Sequence, residues 1–120
     1  MDKKQVEQEE IEINKTIQQY ETKMNDLRRE RHQIQETFDN IQFDLRKSYQ
    51  ELTRLNQEES HFGGQDVIIA QQKEDEQALY IRRQLGQLQE GISQEYKQQV
   101  KLIEQETETL QKKRSELAWD

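Results

Sequence analysis

The chain has 120 residues, no Cys and no Pro; it is 36% charged and 30% hydrophobic, with a net charge of −7. Without Cys there is no disulfide framework, thiolate nucleophile or zinc–thiolate site. No stretch approaches the ~18–20 apolar residues of a membrane span, and Met1-Asp2-Lys3-Lys4-Gln5 has no signal-peptide core.

So few apolar residues cannot fill a thick globular core, which leaves disorder or long helices meeting along narrow seams. Periodicity decides between them. From Val6 a 3-4 ladder runs through Glu10, Ile13, Ile17, Tyr20, Met24, Leu27, Arg31, Ile34, Phe38, Ile41, Leu45, Ser48, Leu52 and Leu55. Only Glu10, Arg31 and Ser48 break its apolar character. A repeat of seven residues keeps one helical stripe facing a partner, and the Gln, Glu, Lys and Arg between the rungs are good helix formers. The spacing predicts a helix over about residues 3–60.

Past Leu55 the ladder stops, and the only Gly-Gly pair follows in Phe62-Gly63-Gly64. Glycine takes left-handed backbone geometry at a helix end without a Cβ penalty, so Gly63 or Gly64 is the expected stop. Asp66 is the expected N-cap of the next helix. The turn is thereby placed at about 61–66 and the second helix at about 67–118. The ladder resumes with Ala78, Ile81, Leu85, Leu88 and Ile92, slips to 4-4 spacing at Tyr96 and Val100, then returns with Ile103, Thr107, Leu110, Arg114 and Leu117. Such a slip is a stutter, which locally straightens a supercoil. Gly86 and Gly91 bracket Leu88, and close approach of a neighbouring helix there is the favoured reason for them. With the turn near residue 63, facing residues sum to about 126, which sets Arg31 against Glu95, Glu10 near Arg114 and Ser48 against Ala78. Matched breaks in two seams fix register, so the predicted fold is all-α, an antiparallel helical hairpin in a single domain.

Charge is evenly spread, −4 over residues 1–60 and −3 over 61–120, and the longest basic cluster is Lys112-Lys113-Arg114. Nothing resembles the basic stripe of a phosphate-tracking surface, so neither nucleic acid nor membrane insertion is expected. Catalytic constellations are equally absent. Glu58-x-x-His61 has the spacing of half a di-iron site but lacks the second Glu-x-x-His and the two further carboxylates such a site needs. No enzyme activity, cofactor or metal is expected. A second apolar set, Ile11, Phe43, Tyr49, Ile68, Leu79, Tyr80, Leu102 and Trp119, lies off the ladder. Two helices alone cover little apolar surface, so Phe43, Tyr49, Leu79, Tyr80 and Leu102 are the expected docking stripe for a helical partner, with self-association when the chain is alone.

The short acidic all-helical chain, its aromatic-x-Gly turn at Phe62-Gly63-Gly64 and its Gln-rich amphipathic arms resemble the small helical-hairpin proteins of bacterial type VII secretion. Phe62 stands where the WXG-type members carry Trp. Tyr96 is followed four residues later by Val100, so their Tyr-x-x-x-Asp/Glu export signal is missing. The chain is therefore more similar to the LXG-toxin-associated α-helical (Lap) proteins. That resemblance implies a targeting chaperone of Gram-positive bacteria that packs on the helical N-terminal LXG domain of a toxin, together with a second small helical protein. It also implies a cytoplasmic location, with export alongside the toxin. Two other readings stand beside it: a structural coiled-coil module that dimerises into a four-helix bundle, and a prefoldin-like chaperone subunit.

Overall fold

The computed structural model describes residues 2–59 and 64–119, apart from the side chain of Trp119. Two helices make up the fold, α1 over Lys3–Glu59 and α2 over Gln65–Trp119, and they form a helical hairpin. At the start of α1, the Val6 N–H donates to the Asp2 carbonyl at 3.1 Å. Several side chains bond within their own helix. Thr16, Thr37 and Thr109 donate their hydroxyls to the carbonyls of Glu12, Gln33 and Gln105, each four residues back. Arg54 is held between Glu51 and Glu58 at helical spacing, and Asp26–Arg29 and Glu108–Lys112 repeat the pattern.

One sequence expectation about the turn changes. Asp66 is not an N-cap: α2 begins at Gln65, so Asp66 sits inside its first turn, where its charge suits the exposed N–H groups. Gly64 precedes that helix without a positive φ. Phe62 and Gly63, the other glycine expected to stop the first helix, lie outside the described residues.

Contacts divide the chain into two units: a terminal unit of Met1–His32 with Ser93–Asp120, and a central unit of Gln33–Ile92. In the terminal unit the ladder faces inward as its spacing requires. Ile13, Ile17 and Leu117 form a buried cluster, Val6 and Leu110 pack against it, and Ile103 is also buried. Arg114 Nη1 donates to Asn14 Oδ1 at 2.8 Å, joining residues 100 apart and fixing the antiparallel sense. The Glu106 carboxylate beside the Tyr20 hydroxyl raises its pKa, and this pair sums to the 126 that the turn position demands. The rungs that were not apolar fare differently from expectation. Arg114 finds Asn14 rather than Glu10. Arg31 makes no ion pair with Glu95, and its Nη1 is buried with no hydrogen-bond partner.

Candidate docking surface

In the central unit the seam is made of different residues. Phe38 is buried and Leu45 half-buried, but beyond Leu45 the half-buried positions of α1 are Tyr49, Thr53 and Asn56. The ladder rungs at Ile41, Ser48, Leu52 and Leu55 are exposed. Opposite Leu52 and Leu55, α2 is polar throughout Gln71–Gln77. An apolar rung set against Gln71 or Glu74 would strip their water and offer no hydrogen bond in return. Polar residues meet them instead. Asn56 Nδ2 donates to Gln71 Oε1 and to Glu74 Oε2, both at 2.7 Å. Gln71 Nε2 donates to Thr53 Oγ1 at 3.3 Å and to Asp75 Oδ1 at 2.8 Å. The Tyr49 hydroxyl also donates to Asp75 Oδ1. Those two bonds, first from Tyr49 and then from Gln71, hold the Asp75 carboxyl below its ordinary value, while the same contact raises Tyr49.

This turns the apolar ladder outward on one side. Taking Leu45, Tyr49, Thr53 and Asn56 as the inward direction of α1, the four exposed rungs stand about 85° round from it at 100° per residue. On α2 the inward direction is set by Val67, Gln71, Glu74, Ala78 and Leu85; Ile81 and Leu88 stand about 50–70° round in the same angular sense. In antiparallel helices the same angular sense turns to the same face, so Ile41, Leu52, Leu55, Ile81 and Leu88 share one side of the central unit. Between the helices lies a groove of about 550 Å³, with Leu45, Ser48, Leu52, Ala78, Ile81 and Leu85 among its lining. Ser48 and Ala78 both line this groove, which agrees with the register that set them near each other.

The exposed surface is concentrated here. Of the twelve exposed large hydrophobic residues among those described, ten belong to the central unit, and only Ile11 and Leu102 belong to the terminal one. Leu88 is 55% and Leu52 44% exposed. Charge is concentrated in the same unit, which carries 11 acidic and six basic side chains for a net −5, against −2 for the terminal unit.

The docking stripe read from the sequence does not hold together as one surface. Tyr49 is half-buried in the seam and bonded to Asp75, so it is a seam residue. Phe43 and Leu79 are exposed and do share a face, but it is the one opposite the ladder, at about 110–125° from inward in the other angular sense. Tyr80, 64% exposed, points outward, and Leu102 lies in the terminal unit. The surface that sequence reasoning missed consists of ladder rungs assigned to the interior. Their signal was the polar run Gln71–Gln77, which gives the first helix nothing apolar to meet. Two further expectations change. Leu88 is exposed and Gln89 half-buried, so the seam of α2 leaves the ladder seven residues before the slip at Tyr96. A Cβ placed on Gly86 or Gly91 meets nothing within 4 Å, so neither marks a close helix approach.

Glu58 of the Glu-x-x-His spacing is engaged by Arg54, and His61 lies outside the described residues. Among the described residues, no three His, Cys, Asp or Glu side chains are placed to hold a metal ion, and no helix is long and apolar enough to cross a membrane. Compared with known protein families, curated proteins and solved structures, the chain has no match.

Proposed function

We propose that the chain is a non-enzymatic docking module whose central unit takes up a helical protein partner. The observation that carries this reading is the apolar ladder left open along one face of that unit, around a groove wide enough for partner side chains. Contiguous exposed apolar surface costs a free protein about 25 cal/mol for each Å² left in water, and covering it drives association. A helix laid along such a face places residues at i, i+3, i+4 and i+7 against the rungs. The terminal unit, with its buried Ile13–Ile17–Leu117 cluster, serves in this reading as the clasp that holds the hairpin closed.

The resemblance to the Lap proteins gives the partner its identity: the helical N-terminal domain of an LXG toxin, bound for targeting to type VII secretion. Co-expression of such a domain from the same genome with the chain tests this. Wild type should co-purify with it, and a Leu52→Glu/Ile81→Glu variant that retains its helicity should not. Equal capture by both would remove the ladder face from the binding reaction.

A further inference from the structure

The charges around the ladder face select among its occupants. By the same helical geometry that places the rungs, Asp44 and Glu59 of α1 and Asp66 and Lys73 of α2 border this face, while Glu51 beside them is engaged by Arg54. The border is therefore net negative, within a unit of net −5. Arg46 and Arg82 also line the groove, but they stand about 50–65° from inward in the opposite angular sense, beyond the seam. Two copies docked ladder to ladder would set acidic border on acidic border, with net −5 facing net −5. Like charges at a rim disfavour association and slow encounter, whereas a complementary rim accelerates it.

Resting on the docking reading above, we propose that the occupant is an amphipathic helix of another protein, with an apolar stripe flanked by Lys and Arg, and not a second copy of this chain. The apolar stripe covers Ile41, Leu52, Leu55, Ile81 and Leu88. The basic flanks lie against Asp44, Glu59 and Asp66. Salt screens those contacts, so affinity falls with ionic strength while the apolar contribution persists.

Two designed peptides of ~21 residues test this, each with Leu at 3-4 spacing, one filled with Lys and the other with Glu; the length gives about six turns of helix. Fluorescence anisotropy with full-length protein should show the Lys peptide binding at least about tenfold more tightly at low salt, with the difference shrinking as salt rises. Leu52→Glu/Ile81→Glu adds two negative charges, so a merely electrostatic contact would strengthen; loss of the Lys peptide is the expected result. Phe43→Glu, on the opposite face, should bind it as wild type does. Equal affinity for the two peptides would overturn the proposal about the rim while leaving the docking face standing. Unchanged binding by Leu52→Glu/Ile81→Glu would overturn both. No binding of the Lys peptide would overturn the proposal. So would a wild-type dimer in sedimentation that this double variant dissolves, which would make a second copy the occupant.

Discussion

One ladder runs through both units, and the two units use it in opposite ways. In the terminal unit, rungs such as Ile13 and Ile17 meet Leu110 and Leu117, and apolar side chains fill the seam. In the central unit, the rungs Leu52 and Leu55 stand exposed, and Tyr49, Thr53 and Asn56 form the seam with Gln71, Glu74 and Asp75. The difference originates in the second helix: it offers Ile103, Leu110 and Leu117 after Val100 and is polar between Gln71 and Gln77. A periodic stripe on one helix is only half of a seam, and its phase holds where the facing helix offers something apolar to bury against.

Substitutions can break this contrast, and the largest effects belong to the terminal seam. Ile17→Ala should destabilise by about 2–4 kcal/mol, since it opens a cavity in the buried cluster. Leu52→Ala, though it occupies an equivalent rung, should cost clearly less, about 1 kcal/mol, because 44% of the residue is already exposed. Urea denaturation of the two variants, with equal m-values, would measure both.

Arg31 sharpens the comparison in the opposite direction. Its buried Nη1 has no partner, so Arg31→Met should raise stability by about 1 kcal/mol or more by removing an uncompensated donor while keeping the stem's contacts. Gly86→Ala and Gly91→Ala should each stabilise by about 1 kcal/mol, because a methyl meets open space and helix propensity improves. Thermal melts read both results; destabilisation by either Ala would mean that a helix approaches more closely there than the geometry allows.

The smallest effect is a pH dependence confined to the central seam. Asp75 is held below its ordinary value of 3.8, so its contribution is present at neutral pH and disappears as pH falls through the lowered value. Tyr49 is raised above its ordinary 10.0, so its contribution is present below that value and is lost as pH rises through the raised one. Amide exchange in residues 49–59 and 64–75 should therefore quicken at both extremes relative to the terminal cluster. Tyr49→Phe should flatten the alkaline arm and weaken the acid one.

Much of the fold was legible in the sequence. Two helices, their antiparallel register and the placement of Ser48 and Ala78 along one groove all follow from rung spacing and the position of the glycine pair, and Tyr20 with Glu106 keeps that register. The candidate surface was not. Leu52 and Leu55 read as interior because they keep the phase of Ile13 and Ile17; only the polar run on the other helix argues otherwise, and its effect depends on which residues face each other across the seam. Tyr49 read as a surface anchor for the same reason: it lies off the ladder, and its bond to Asp75 spans 26 residues of sequence. Helical periodicity places a residue on its own helix, whereas burial depends on the other one.

Thiol reactivity tests the phase change most directly, because the chain has no Cys and a single introduced thiol reports on one position alone. Leu52→Cys, Asn56→Cys and Ile17→Cys would be prepared and their reaction rates with a maleimide reagent compared under native conditions. The outward ladder predicts that Leu52→Cys reacts fastest, Asn56→Cys more slowly and Ile17→Cys slowest. A ladder that faced inward along its whole length would reverse the first two, and slow reaction at residue 52 with fast reaction at residue 56 would contradict the account.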